Sequence, residues 1–179
     1  MRYLLFASFL VLNLCGCSSS KVASNKDPNF NQKLSKVYLI LKTPKYSKDF
    51  KEQFQKTFLD ELAKRNVLCF YESPGPLALE TEADVQKRIA EAAPDVVITF
   101  TQTEGMVSTS GNSGWMNNHM NNFSYSQFSS VFDVKMFVPN TERAVWRANI
   151  DVSASGDVSE GGQKTAKKLI AQLVKDGLI

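Results

Sequence analysis

The soft and nucleophilic side chains of this 179-residue chain are few: three cysteines, five methionines and a single histidine. Cys15 and Cys17 lie together in LCGCSSSK, at the end of an apolar amino-terminal run, and Cys69 stands alone in VLCFY. His119 sits between Met116 and Met120, beside Trp115 and with Met106 not far away in sequence. Thioether and imidazole suit Cu(I), so Trp115, Met116, His119 and Met120 form a stretch that would touch a metal or a partner. One histidine with irregularly spaced methionines, and no second histidine or cysteine beside it, fixes no coordination geometry, so neither a metal nor another cofactor is assigned. A serine nucleophile needs a histidine to take its proton, and no serine here stands in a GxSxG turn. Carboxylate catalysis stays open with 18 acids in the chain, although Glu61, Glu72, Glu80 and Asp95 read as helix faces, turns or strand starts. No strand runs into GxGxxG or GxxxxGK, which argues against a nucleotide. A formal charge of +3, with lysines scattered among acids and no aromatic-plus-basic stripe, argues against nucleic acid.

The paired cysteines carry the sharpest signal. Arg2 makes a short positive start, Leu4 to Leu14 is apolar, and small Gly16 precedes Cys17, the pattern of an export signal over residues 1–16. That run is too short to span a bilayer. Leu14-Cys15-Gly16-Cys17 resembles the bacterial lipobox, in which an aliphatic residue and small residues precede the cysteine that receives diacylglycerol. The resemblance implies lipidation of Cys17; Cys15, preceded directly by bulky Leu14, would leave with the signal. Each buried methylene contributes about 0.8 kcal/mol, and two or more acyl chains give stable anchoring, so the expected partner of Cys17 is a membrane. Ser18, rather than Asp, after the cysteine implies by the same resemblance an outer-membrane location facing the periplasm, or the plasma membrane in a bacterium with one membrane. Cys69 is then the only cysteine of the exported domain and is expected to be a buried, inert thiol.

These groups must be positioned by a scaffold of about one domain. Residues 17–34 read as the lipidated cysteine and a flexible tether, because SSSKVASNKDPNFNQKL is too polar to pack a core; such a chain would extend roughly 20 to 25 Å. Residues 35–179 read as the folded domain. KVYLILKT is a buried strand. Phe50, Phe54, Phe58 and Leu62 recur every four residues as one apolar helix stripe after a cap at Ser47, and Asn66 ends that helix. Val67 to Tyr71 is the next strand. Thr81 and Asp84 make a capping box for a helix carrying Val85, Ile89 and Ala92, and VVITFT after Asp95 is a central strand. Strand, helix, strand, helix, strand favours parallel pairing.

The second half changes rhythm. Residues 104–126 show no periodicity and read as a long loop, uncommon unless functional or disordered. Phe128 to Val138 and Ala144 to Ala154 then alternate in polarity, an antiparallel hairpin with one wet face, and a last helix carries Ala166, Leu169, Ile170 and Leu173 up to Gly177. The expected fold is α/β, with α+β character in its second half: one mixed sheet of five or six strands with three helices packed on it.

VWRANIDVSASG, residues 145–156, and PDVVITF, residues 94–100, resemble segments of small Gram-negative envelope lipoproteins, and the element order is similar to the amino-terminal domain of TolB and to CsgG-like assembly lipoproteins. The resemblance implies a membrane-anchored, non-catalytic binding or assembly module with an envelope protein as partner, and supplies no catalytic residues. A periplasmic carboxylate-dependent enzyme and a copper-handling lipoprotein using the Met/His stretch are the alternatives.

Overall fold

The computed structural model describes residues 20–42, 48–73, 81–111, 124–155 and 158–179. The elements run β1 (Ser20–Lys26), β2 (Lys36–Lys42), α1 (Lys48–Ala63), β3 (Leu68–Glu72), α2 (Glu82–Ala92), β4 (Val96–Gly111), β5 (Ser124–Phe137), β6 (Ala144–Ser155) and α3 (Val158–Lys175). The six strands make one sheet in the order β1-β6-β5-β4-β2-β3. β2 is parallel to both β3 and β4, and β4, β5, β6 and β1 follow antiparallel. This is the mixed α/β sheet with three helices that the strand and helix periods predict.

The two sheet faces are treated differently. On one, α1 and α3 cover the sheet, and Phe50, Phe54, Phe58 and Leu62 of α1 are all fully buried. Their rings stack along the helix and onto the strands: Phe54 meets Phe100 with centroids 4.6 Å apart, and Phe50 meets Phe132 at 5.4 Å. Burying each such side chain stabilises the fold by about 1.5–3 kcal/mol, which is why a four-residue aromatic repeat suffices to fix the helix on the sheet. α1 and α3 approach closely because Gly162 has no side chain; a Cβ there would lie 2.4 Å from the Phe50 carbonyl oxygen. On the other face, among the described residues, only α2 packs, with Ile89 against Tyr38, Ile40 and Val97, and it leaves the antiparallel strands bare. The capping box forms as its sequence predicts: the Asp84 N–H donates to Thr81 Oγ1 (3.3 Å) and the Thr81 N–H to Asp84 Oδ2 (2.9 Å). Asn66 and Gly177 take left-handed conformations after their helices (φ 59° and 73°).

Two expectations fail. The tether expected over residues 17–34 does not hold from Ser20 onward, since Ser20–Lys26 is the edge strand β1 on β6, with Ser20 opposite Val152 and Lys26 opposite Trp146. Phe30 and Leu34 are buried in the main core, and the Leu34 N–H donates to the Leu178 carbonyl (2.8 Å). The strand is polar because its pairing runs through backbone, and its specificity comes from one cluster: Asp176 Oδ2 accepts from both Ser24 Oγ and Trp146 Nε1 at 2.7 Å, and Gln172 Nε2 donates to Ser24 Oγ (2.8 Å) and to Asp176 Oδ1 (3.0 Å). Lys26 Nζ adds a bond to the Asp176 carbonyl (2.9 Å). The long loop 104–126 is also shorter than its composition suggests. β4 continues to Gly111 and β5 begins at Ser124, so residues 104–111 and 124–126 are paired strand. Serine- and threonine-rich strands show no hydrophobic alternation, yet their backbone groups pair as well as any others.

Candidate functional site

β3 is an outer strand of the sheet and, among the described strands, is hydrogen-bonded to β2 alone. Its period-two alternation splits VLCFY between the two faces: Cys69 and Tyr71 pack on the α1 side, whereas Leu68 and Phe70 point to the α2 side. α2 covers Tyr38 and Ile40 and meets β3 at Glu72 through Arg88, while Leu68 stays 55% exposed and Phe70 37%. Phe70 stacks on Tyr38, with centroids 6.3 Å apart and planes 18° from parallel. Tyr38 Oη donates to Glu72 Oε2 (2.7 Å), and Arg88 of α2 pairs with the other oxygen of the same carboxylate. Burial, reinforced by the bond to Glu72, pushes the Tyr38 hydroxyl above its ordinary pKa and keeps it a donor. The result is an uncharged edge, Leu68 to Tyr71, ending in a fixed Tyr38–Glu72–Arg88 polar cluster. Burial pushes the Cys69 thiol up to about 12, so it presents no thiolate at neutral pH. That matches the inert role read from its apolar surroundings.

Beside this edge lies a groove of about 650 Å³ between α2 and the sheet, floored by Ile40, Val97 and Thr99, walled by Val85 and Gln86, and closed by the β5–β6 turn at Pro139. Glu72 and Glu82 are the acids among its lining residues, and Glu72 is already bonded to Tyr38 and Arg88. Further across the bare face, Asp133 accepts from Arg147 Nε (2.9 Å) and Nη2 (3.2 Å) and lies 3.1 Å from Lys135 Nζ. Burial pulls the Asp133 carboxyl up, but the bonds from Arg147 and Lys135 outweigh it and hold it below the usual carboxylate value. Asp95 is likewise held low by the N–H groups of Ser35 and Lys36, which outweigh its burial. Among the described residues, no three of His, Cys, Asp and Glu cluster as metal ligands, and no helix is long and apolar enough to cross a membrane.

Cys17, Trp115, Met116, His119 and Met120, the residues singled out from sequence, lie outside the described residues. The fold does show where their flanks are held. Gly111 pairs with Ser124 at the end of the β4–β5 ribbon, and β1 starts at Ser20, three residues after Cys17. At the base of that ribbon, where β2 ends opposite Thr101, a bulge between Gln102 and Glu104 is pinned by Ser130: Ser130 Oγ donates to the Glu104 carbonyl (2.7 Å) and accepts from Gln102 Nε2. Sequence reasoning missed the exposed side of β3, since VLCFY looks wholly buried. The shortness of α2 was the available signal: one helix of 11 residues cannot cover a six-stranded sheet.

No family model and no curated protein matches the chain. Solved structures do. The PelC dodecamer from Paraburkholderia phytofirmans superposes with a TM-score of 0.52 at 13% identity, over 89% of this chain and 98% of that one. A neuraminyllactose-binding hemagglutinin homolog from Helicobacter pylori (0.42, 11% identity, 85% and 89%) and a minor lipoprotein from Acinetobacter baumannii (0.29, 11%, 78% and 90%) are looser neighbours and carry no argument. At these identities the likeness to PelC establishes a shared fold and nothing more.

Proposed function

We propose that this protein is a lipid-anchored, non-catalytic assembly module of the bacterial envelope, tethered through Cys17 and associating through the β3 edge with further copies of itself. The observation that carries the reading is the free edge itself. Among the described residues, an outer strand that pairs on one side and exposes Leu68 and Phe70 is the arrangement that monomeric proteins avoid, by charge, proline or cover. Strand addition there would supply main-chain hydrogen bonds, with the apolar side chains selecting the partner. Anchoring concentrates the domain near other anchored copies, so individually weak contacts suffice.

Three further points support it. The shared fold belongs, in PelC, to a dodecamer. The lipobox-like LCGC and Ser18 favour the periplasmic side of an outer membrane. The strongly held acids of the bare face and strand ends, Asp95, Asp133 and Glu72, are occupied by structural donors rather than facing one another. The test is sedimentation of the protein extracted from membranes in mild detergent, for the natural chain and for Leu68→Lys. Assembly above monomer that Leu68→Lys weakens at least tenfold is expected. A monomeric natural chain, or assembly indifferent to Leu68→Lys and Phe70→Lys alike, refutes the edge as the interface.

A further inference from the structure

The register places the anchor and the β4–β5 ribbon at the same end of the sheet. Ser20, where β1 begins, pairs with Val152; Val152 pairs with Ser130; and Ser130 pairs with Gly105. One step toward the body of the domain, the next row is Lys21, Asp151, Val131 and Glu104. Three of those four positions are charged, and they are the last charges on their strands: from Gly105 to Phe132 the sequence contains no Asp, Glu, Lys or Arg, in a chain of which 22% is charged. After Asp151 the next charge is Asp157, past the end of β6. A single line perpendicular to the strands therefore divides a charged sheet from an uncharged end.

Beyond that line the ribbon runs on from Gly105↔Ser130 to Gly111↔Ser124, roughly 20 Å at about 3.3 Å per residue. With Cys17 as the anchored residue, Ser18 and Ser19 separate it from β1, and three residues reach at most about 10 Å. β6 accompanies the ribbon as far as the Gln127↔Ser155 pair and then stops. A narrow ribbon projecting into water would ordinarily carry charges against edge-to-edge pairing. Here Ser, Thr, Gln and Gly are interspersed with Met106, Val107, Tyr125 and Phe128, a composition suited to the headgroup zone, where aromatic and hydroxyl groups are at home and a buried charge would be costly. The described residues beyond the line number seven per strand, fewer than the 9–11 a spanning strand needs.

We infer that the ribbon Gly105–Gly111 and Ser124–Ser130 seats in the lipid headgroup region beside the protein's own anchor, orienting the domain with the β5–β6 turn pointing away from the membrane. This rests on the reading of Cys17 as the anchored residue, and the experiment keeps the two separable. Residues 18–179, which contain every described element, are held on phosphatidylcholine vesicles through an amino-terminal hexahistidine tag and a nickel-chelating lipid, so that the anchor is supplied whether or not Cys17 carries one. An environment-sensitive fluorophore is placed at Ser110→Cys and, separately, at Glu142→Cys in the opposite turn. A severalfold rise in emission at position 110, quenched by nitroxide-bearing lipid, insensitive to added salt and absent at position 142, is expected. Equal responses at the two positions, or none at position 110, overturn the inference. Mass spectrometry of the natural protein from membranes reads the anchor independently: an unmodified Cys17 sinks the anchor reading, and the ribbon's seat with it, even where the tagged chain passes.

Discussion

Asp176→Ala should release β1. One carboxylate oxygen takes two hydrogen bonds at 2.7 Å, from Ser24 and Trp146, and the other takes one from Gln172. The Trp146 ring is only 1% exposed, so after truncation its indole N–H has no carboxylate and little room to find water. Leaving a buried donor unpaired costs about 1–3 kcal/mol. Ser24 and Gln172 are half-buried and already bonded to each other, so their loss is smaller, about 0.5–1 kcal/mol together. The total of roughly 1.5–4 kcal/mol is a large share of the 5–15 kcal/mol that stabilises a domain. Asp176→Asn keeps a carbonyl oxygen for the indole and should lose only about 1 kcal/mol. Urea unfolding of residues 18–179 measures the global loss, and hydrogen exchange over Ser20–Lys26 locates it, since an edge strand can open before the rest of the sheet. Both substitutions falling within about 0.5 kcal/mol of the natural protein, with β1 protection unchanged, would show that backbone pairing to β6 alone holds the strand.

The other expectations are simpler. Gly162→Ala sets a methyl group 2.4 Å from the Phe50 carbonyl oxygen, so α1 and α3 must separate, at about 1–3 kcal/mol read from the urea midpoint; an unchanged midpoint would mean that the helix contact is looser than described. Asp95 has its folded pKa below the ordinary 3.8, so it stabilises the fold fully above that value and loses the contribution as pH falls from about 3.8 through the folded pKa. Asp95→Asn should therefore lower stability at neutral pH and flatten the acid limb of a stability-against-pH curve, and an acid limb of unchanged slope would contradict this.

Much of the scaffold was legible because its signals are local. The four-residue aromatic repeat of α1, the Thr81–Asp84 box, the left-handed Asn66 and the alternation Trp146, Ala148, Ile150, Val152 each depend on neighbours within a turn or a strand, and each appears where its spacing places it. What the sequence left hidden depends on partners far along the chain. SKVASNK has no hydrophobic period, and it becomes a strand only because β6 offers a backbone edge and Asp176, 152 residues from Ser24, offers an acceptor. The ribbon beyond Glu104 is paired by register rather than by apolar contrast, so a pattern reading sees a loop there.

Sequence by itself determined which residues are apolar and at what period, and hence the helices and the buried strands. Tertiary structure alone decided that α2 leaves Leu68 and Phe70 uncovered, and that Ser20, Ser130 and Gly105 share one row. Exposure and alignment are properties of neighbours, set by which strands lie side by side and how far each helix reaches. Spacing along a chain does not encode them until the sheet has closed.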